Sequence, residues 1–171
     1  MIRTSKKDQP MTHLPASLEP IDLRITDWCA RLAILLLRLS VGICFLWFGA
    51  LKLFPGLSPA EALATKTIVA LSWGMIPAAV IPLGLGIWEC LIGLGMITGL
   101  WIRATLLLLA VQLPGTITPL FLFPHECFVQ FPLVPTLEGQ YIIKNLVLAA
   151  AALAVAATVR GGRLVPGPPK V

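Results

Sequence analysis

The stretch IPAAVIPLGLGIWECLIGLGMITGLWI, from Ile76 to Ile102, decides the fold. It contains one charged side chain, Glu89, in a run long enough to cross the roughly 30 Å hydrocarbon core of a bilayer, which takes about 20 apolar residues as a helix. A carboxyl at that depth costs a few kcal/mol on insertion scales, about 2.5 to 3.5 for an aspartate, so it is expected to face the protein interior and to have a partner. Arg38, which interrupts the next apolar run toward the N-terminus, is the expected partner.

The composition agrees with a membrane protein. Of the 171 residues, 57% are hydrophobic and 12% are charged, and the mean hydropathy is +0.89. Soluble domains carry about 25% charged residues. The fold class expected is therefore all-α, an integral membrane four-helix bundle, and 171 residues leave no room for a separate soluble catalytic domain. The net charge of +5 does not indicate nucleic acid, because the basic residues gather near span ends and not in a patch interleaved with aromatics.

The expected spans are about Arg31 to Phe54, Ile76 to Leu100, Trp101 to Phe123 and Gln140 to Val159. Only Gly99 to Arg103 separates the second from the third, which makes them antiparallel neighbours. Residues 1–27 read as a polar, mostly irregular tail, residues 28–160 as the membrane domain and residues 161–171 as a second tail. The charged N-terminal region and the long first apolar run do not resemble a cleavable signal. Nine of the thirteen basic residues (Arg3, Lys6, Lys7, Arg24, Arg31, Arg103, Arg160, Arg163 and Lys170) fall on one side, so both termini are expected in the cytoplasm. On that topology an impermeant thiol reagent reaches Cys127 from outside and spares Cys29.

Two outer loops remain. In the first, Ser58-Pro59-Ala60-Glu61 reads as a helix start, with serine capping, proline at the first helical position and glutamate closing a capping box. Ala60, Leu63, Ala64, Thr67, Ile68 and Leu71 then recur at helical spacing, which predicts a short surface helix, unless Thr67 already begins the second span. The second loop, Pro124 to Gly139, is proline-rich without a period and reads as a cap over the bundle. Its His125-Glu126-Cys127 run is not expected to hold a metal, since consecutive side chains rarely converge on one ion. Cys29, Cys44, Cys90 and Cys127 form no C-x-x-C pair, and Cys44 and Cys90 read as small packing residues. With histidines only at His13 and His125, the spans lack the usual axial ligands of a transmembrane haem.

At 100° per residue each span has one face unlike lipid: Arg31, Arg38, Gly42, Phe45, Gly49 and Lys52 on the first; Pro82, Gly86, Glu89, Gly93 and Met96 on the second; Thr105, Gln112, Thr116 and Pro119 on the third; Tyr141, Lys144, Asn145 and Leu148 on the fourth. The glycines, with Gly95, Gly99 and the run Ala149 to Ala152, read as close helix contacts. Counting rise along the helices puts Arg38 about 10 Å and Glu89 about 18 Å from the cytoplasmic side, a gap a long arginine side chain spans in part. Gln112 is expected to complete a cluster of Arg38, Glu89 and Gln112. Lys52, Lys144 and Asn145 are second choices.

In the same residues the chain resembles the DoxX-like membrane proteins: Arg38-Leu39-Ser40-Val41-Gly42, then Phe45-Leu46-Trp47-Phe48-Gly49-Ala50-Leu51-Lys52, then Glu89 with Gly93-Leu94-Gly95, then Lys144-Asn145-Leu146, over roughly residues 31–160. The resemblance implies a four-helix bundle and, through relatives such as the DoxD-type subunits of thiosulfate:quinone oxidoreductase, a link to membrane quinone chemistry. The chain has no haem, flavin or iron–sulfur motif. The expected function is a membrane subunit of a redox or oxidative-stress system in a bacterial inner membrane. A quinone headgroup is then expected near Arg38, Glu89 and Gln112, and no catalytic residue is identified. The partners expected are the lipid bilayer, a redox partner subunit and further copies of the chain. A small transporter or proton-conducting module, with Glu89 titrating beside Arg38, and a non-catalytic scaffold, with the pair fixing helix register, are the alternatives.

Overall fold

A computed structural model describes residues 18–59, 61–162 and 164. The tail residues 1–17 and 165–171, together with Ala60 and Arg163, lie outside them. The chain divides into two compact units, residues 1–33 and residues 34–171. Among the described residues four helices are long and apolar enough to cross a membrane: Glu19–Lys52, Ala78–Thr98, Ile102–Leu122 and Leu137–Thr158. The protein is an all-α multi-pass membrane bundle.

Helix α1 covers Glu19–Lys52, α3 Ile81–Thr98, α4 Ile102–Ile117 and α7 Leu137–Thr158. Short elements fill the loops: α2 (Glu61–Leu71), a 3-10 turn (Ala78–Val80), α5 (Pro119–Leu122), α6 (Pro124–Cys127) and a two-stranded antiparallel hairpin of β1 (Phe128–Gln130) and β2 (Val134–Pro135). The main departure from the sequence expectation is at the start. Helix α1 begins at Glu19, so residues 19–27 are helical where an irregular tail was expected. Glu19, Pro20 and Asp22 explain it: proline suits the first helical turn and the two carboxylates sit at the positive end of the helix dipole.

The core joins all four spans: Val41 from α1, Ile92 and Met96 from α3, Leu109 from α4, and Ala151, Ala152 and Val155 from α7. The outer faces stay apolar, with Ile43, Trp47, Leu91, Leu107 and Leu153 all at least half exposed. A face of that kind suits lipid contact and not water.

The α1–α3 contact is built on glycine. A Cβ on Gly93 would stand 2.5 Å from the backbone nitrogen of Leu46, and one on Gly49 would stand 2.8 Å from Glu89 Cβ and 2.9 Å from Cys90 N. Both backbones therefore come closer than a side chain allows. The turn from α3 to α4 is three residues long, with Gly99 at φ 73° and Trp101 at φ 52°. Glycine takes that left-handed conformation freely, whereas tryptophan pays about 1 to 2 kcal/mol for it.

The loops differ from the sequence reading in detail. Helix α2 is a separate short helix with Leu63 and Thr67 buried, not the start of the second span. The capping box is not formed as expected, because the Glu61 carboxylate accepts from Gly56 N at 3.2 Å, beyond Ser58. Around α7, Thr136 Oγ1 accepts from Gly139 N at 3.2 Å and donates to Glu126 O at 2.8 Å, tying the second loop to the start of the helix. That loop buries Cys127 completely. Burial pushes the Cys127 thiol up from its ordinary value, and the carboxylates of Glu126 and Glu138 push it the same way. The raised thiol stays protonated, and hence poorly nucleophilic, at pH 8.

Two outcomes test this account. Gly93→Val is expected to lower the unfolding temperature in detergent by an amount corresponding to about 1 to 3 kcal/mol of overpacking, whereas Gly84→Ala, whose Cβ meets nothing within 4 Å, leaves it unchanged; equal effects would refute the close contact. An impermeant maleimide added to intact cells at pH 8 is expected to modify Val129→Cys, a position 76% exposed, and to spare both Cys127, by burial, and Cys29, by orientation. Labelling of Cys29 from outside would reverse the topology.

Candidate functional site

Glu89 sits halfway along α3 and is 8% exposed. Its two carboxylate oxygens are each claimed by a different helix. Lys52 Nζ, at the last residue of α1, donates to Oε2 at 2.6 Å, and Gln112 Nε2 of α4 donates to Oε1 at 2.8 Å. The Lys52 and Glu89 side chains are both 11% exposed, so this is a largely desolvated ion pair.

Local sequence explains why they meet. Gly49 precedes Lys52 by three residues and Gly86 precedes Glu89 by three, so on each helix the glycine and the charge share a face. The two helices run antiparallel, so Gly49 packs against Glu89 and Gly86 against Lys52, and the two charges flank the glycine contact one turn apart. Lys52 Nζ also reaches back to Phe48 O at 3.4 Å. Helical side chains lean toward their own N-terminus, and for Lys52 that direction leads to Glu89.

The pairing of the helices corrects the expected partner. Arg38 does not meet Glu89: its guanidinium lies against Gly99, where a Cβ would be 2.6 Å from Nη1. Gly99 is ten residues, about 15 Å, along α3 from Glu89. Gly42, one turn after Arg38, packs against Gly93 and Ile97, so the antiparallel pairing of α1 with α3 sets Arg38 level with Gly99. The depth estimate counted residues from the span ends and missed this pairing. Of the expected cluster, Gln112 and Glu89 come together and Arg38 does not, while Lys52, a second choice, holds the position expected for Arg38. Lys144 is exposed, with its ammonium 5.4 Å from the Tyr141 ring centroid, and Asn145 is half-buried on the same helix. Neither joins the hydrogen bonds to Glu89.

One neighbour was not anticipated. Trp88 adjoins Glu89 in sequence, and its indole Nε1 is buried with no hydrogen-bond partner among the described residues; Gln112 Oε1 is in the same position. An indole at mid-span is itself a signal, since tryptophan in membrane helices concentrates at the interfaces. The centre therefore holds a carboxylate, an ammonium and an amide with a free acceptor, and the residue next to the carboxylate in sequence carries a buried indole with a free donor. In the second loop, Glu126 is engaged by Lys66, whose ammonium also lies 4.3 Å from the centroid of the Phe123 ring, and Cys127 is buried.

Comparison with known proteins yields one family. A family model described as DoxX matches residues 33–125, more than half of the chain, and the match includes Arg38, Lys52, Trp88, Glu89 and Gln112. It stops short of α7, so Lys144 and Asn145 lie outside it. No curated protein and no solved structure matches the chain.

The geometry predicts a coupled pair. Lys52→Met and Glu89→Leu are each expected to cost about 3 to 5 kcal/mol by leaving a buried charge unpaired, and the double variant to recover much of that loss. Arg38→Leu combined with Glu89→Leu is expected to be additive, as for sites more than about 10 Å apart. Unfolding in detergent measures both cycles. Additivity in the first with coupling in the second would restore Arg38 as the partner.

Proposed function

The chain belongs to the DoxX family, and with that as premise we propose that it is the membrane subunit of a redox or oxidative-stress system, binding a quinone headgroup at Lys52, Trp88, Glu89 and Gln112. The observation that carries the reading is that two buried polar atoms are unused, Gln112 Oε1 on the side chain that holds Glu89 and Trp88 Nε1 on the residue preceding Glu89 in sequence. A buried polar atom without a partner costs about 1 to 3 kcal/mol, so the centre gains from a ligand that offers both an acceptor and a donor. Quinone carbonyls accept hydrogen bonds and quinol hydroxyls donate them, so the donor set fits this class.

When bound, a quinone supplies the electron chemistry that the side chains of this chain lack. The residues divide the remaining work. Lys52 Nζ and Trp88 Nε1 orient a carbonyl by donating to it, Gln112 Oε1 accepts from a hydroxyl, and the Glu89 carboxylate takes or returns a proton at Oε1 or Oε2. The apolar face of the bundle excludes water from this exchange. We place the protein in a bacterial inner membrane with both termini cytoplasmic, from the distribution of lysine and arginine, and with a redox partner subunit or further copies of the chain to relay electrons.

Extraction and mass spectrometry of the full chain, purified in mild detergent, test the reading. Wild-type protein is expected to retain quinone above the lipid background, Trp88→Phe to lose most of it at the wild-type unfolding temperature, and Gln112→Leu to lose it at a lowered unfolding temperature, since Glu89 Oε1 then lacks its donor. Quinone content at background in the wild type, or unchanged in both variants, would overturn the proposal. Arg38→Met is expected to keep its quinone.

A further inference from the structure

We propose that Arg38 and Arg103 form a binding site for the phosphate of an anionic phospholipid headgroup, at the end of the bundle where α3 turns into α4. This site is separate from the quinone centre and does not depend on it.

The argument starts from a charge without a counter-charge. Arg38 lies within a membrane-crossing helix, and its Nε is buried with no hydrogen-bond partner among the described residues. It takes part in neither of the two ion pairs found there, Lys52–Glu89 and Lys66–Glu126. An arginine in that position ordinarily pairs or reaches the interface. Within residues 34–171 the acidic residues are Glu61, Glu89, Glu126 and Glu138. Glu89 is taken by Lys52, and the other three belong to the loops at the opposite ends of α3, α4 and α7. The nearest acid preceding Arg38 in sequence is Asp27, eleven residues earlier. At the α3–α4 end the charges of residues 34–171 are all of one sign: Arg38, Arg103 and, following α7, Arg160.

The local backbone fixes where the guanidinium sits. The guanidinium packs over Gly99, and any side chain there would collide with it, since a Cβ would lie 2.6 Å from Nη1 and 3.2 Å from Cζ. Nε alone of the guanidinium nitrogens is both enclosed and unpartnered, and the planar fork matches two oxygens of a phosphate. Arg103, exposed, stands four residues after Gly99, and the first turn of α4 has no side-chain cap on its N–H groups.

What distinguishes a lipid from free phosphate is the apolar setting. Leu100 and Trp101, between Gly99 and Arg103, are 68% and 85% exposed. A leucine and a tryptophan presented beside two arginines are the residues of a membrane interface, where the indole sits at headgroup level. A phospholipid engages both parts, whereas inorganic phosphate engages only the arginines.

Native mass spectrometry of the full chain, delipidated in detergent and titrated with dioleoylphosphatidylglycerol or dioleoylphosphatidylcholine, tests the site. Wild-type protein is expected to retain phosphatidylglycerol about tenfold better, in keeping with the attraction of two arginines to an anionic lipid. Excess inorganic phosphate is expected not to displace it. Arg38→Met should bring the two lipids to parity without lowering the lipid-free unfolding temperature, and Arg103→Gln, at an exposed position that folding does not depend on, should lose part of the preference. Equal retention of the two lipids by the wild type overturns the proposal, as does displacement by inorganic phosphate or an unchanged preference in both variants. A lipid-free destabilisation of Arg38→Met as large as a core substitution would assign Arg38 a structural partner and overturn it as well.

Discussion

The ion pair between Lys52 and Glu89 is the constraint around which the bundle is arranged. A desolvated carboxylate and ammonium repay the cost of leaving water only when their geometry is good and their remaining polar valences are met. Here the geometry comes from Gly49 and Gly86, which let α1 and α3 touch backbone to backbone between the two charges. Sliding either helix by one residue would turn the charge about 100° from its partner. The pair therefore fixes the register of α1 against α3, and the Gln112 hydrogen bond carries that register to α4.

Most of the fold was legible because hydropathy and spacing depend only on local order. Each span starts and ends within a few residues of expectation apart from the start of α1, and the brief Gly99–Trp101 turn was readable as a tight antiparallel connection. The polar faces were legible too: Glu89 and Gln112 were placed in one cluster, and they are hydrogen-bonded. What failed was the assignment of partners. Two cations on one face of α1 competed for one carboxylate, and depth counted from the span ends did not reveal the antiparallel register that sets Lys52 one turn from Glu89 and Arg38 level with Gly99. Cys127 and the Glu61 cap were misread for a different reason, since tertiary packing of irregular loops leaves little trace in local sequence.

The membership of the family and the geometry of the site bear on different questions. The match over residues 33–125 covers the ion pair and both of its hydrogen-bonding helices but not α7, so the polar centre belongs to the matched part of the chain. α7 supplies Ala151, Ala152 and Val155 to the core and none of the hydrogen bonds to Glu89. Its observed contribution is to the apolar core, a packing task that small residues perform well.

Arg38 and Lys52 show how one helix can hold two charges in a membrane on opposite terms. They are fourteen residues apart, about 21 Å of rise, less than the roughly 30 Å hydrocarbon thickness. Lys52 meets the cost of burial inside the protein, against Glu89 and the carbonyl end of its own helix. Arg38 has no such partner among the described residues, and its guanidinium lies at Gly99, beside the α3–α4 turn and so toward the polar interface. A shift of α1 along the membrane normal would draw Arg38 into hydrocarbon or pull Lys52 off Glu89. The two cations thus oppose displacement in both directions, and the depth of the polar centre follows from that opposition as much as from the length of the spans.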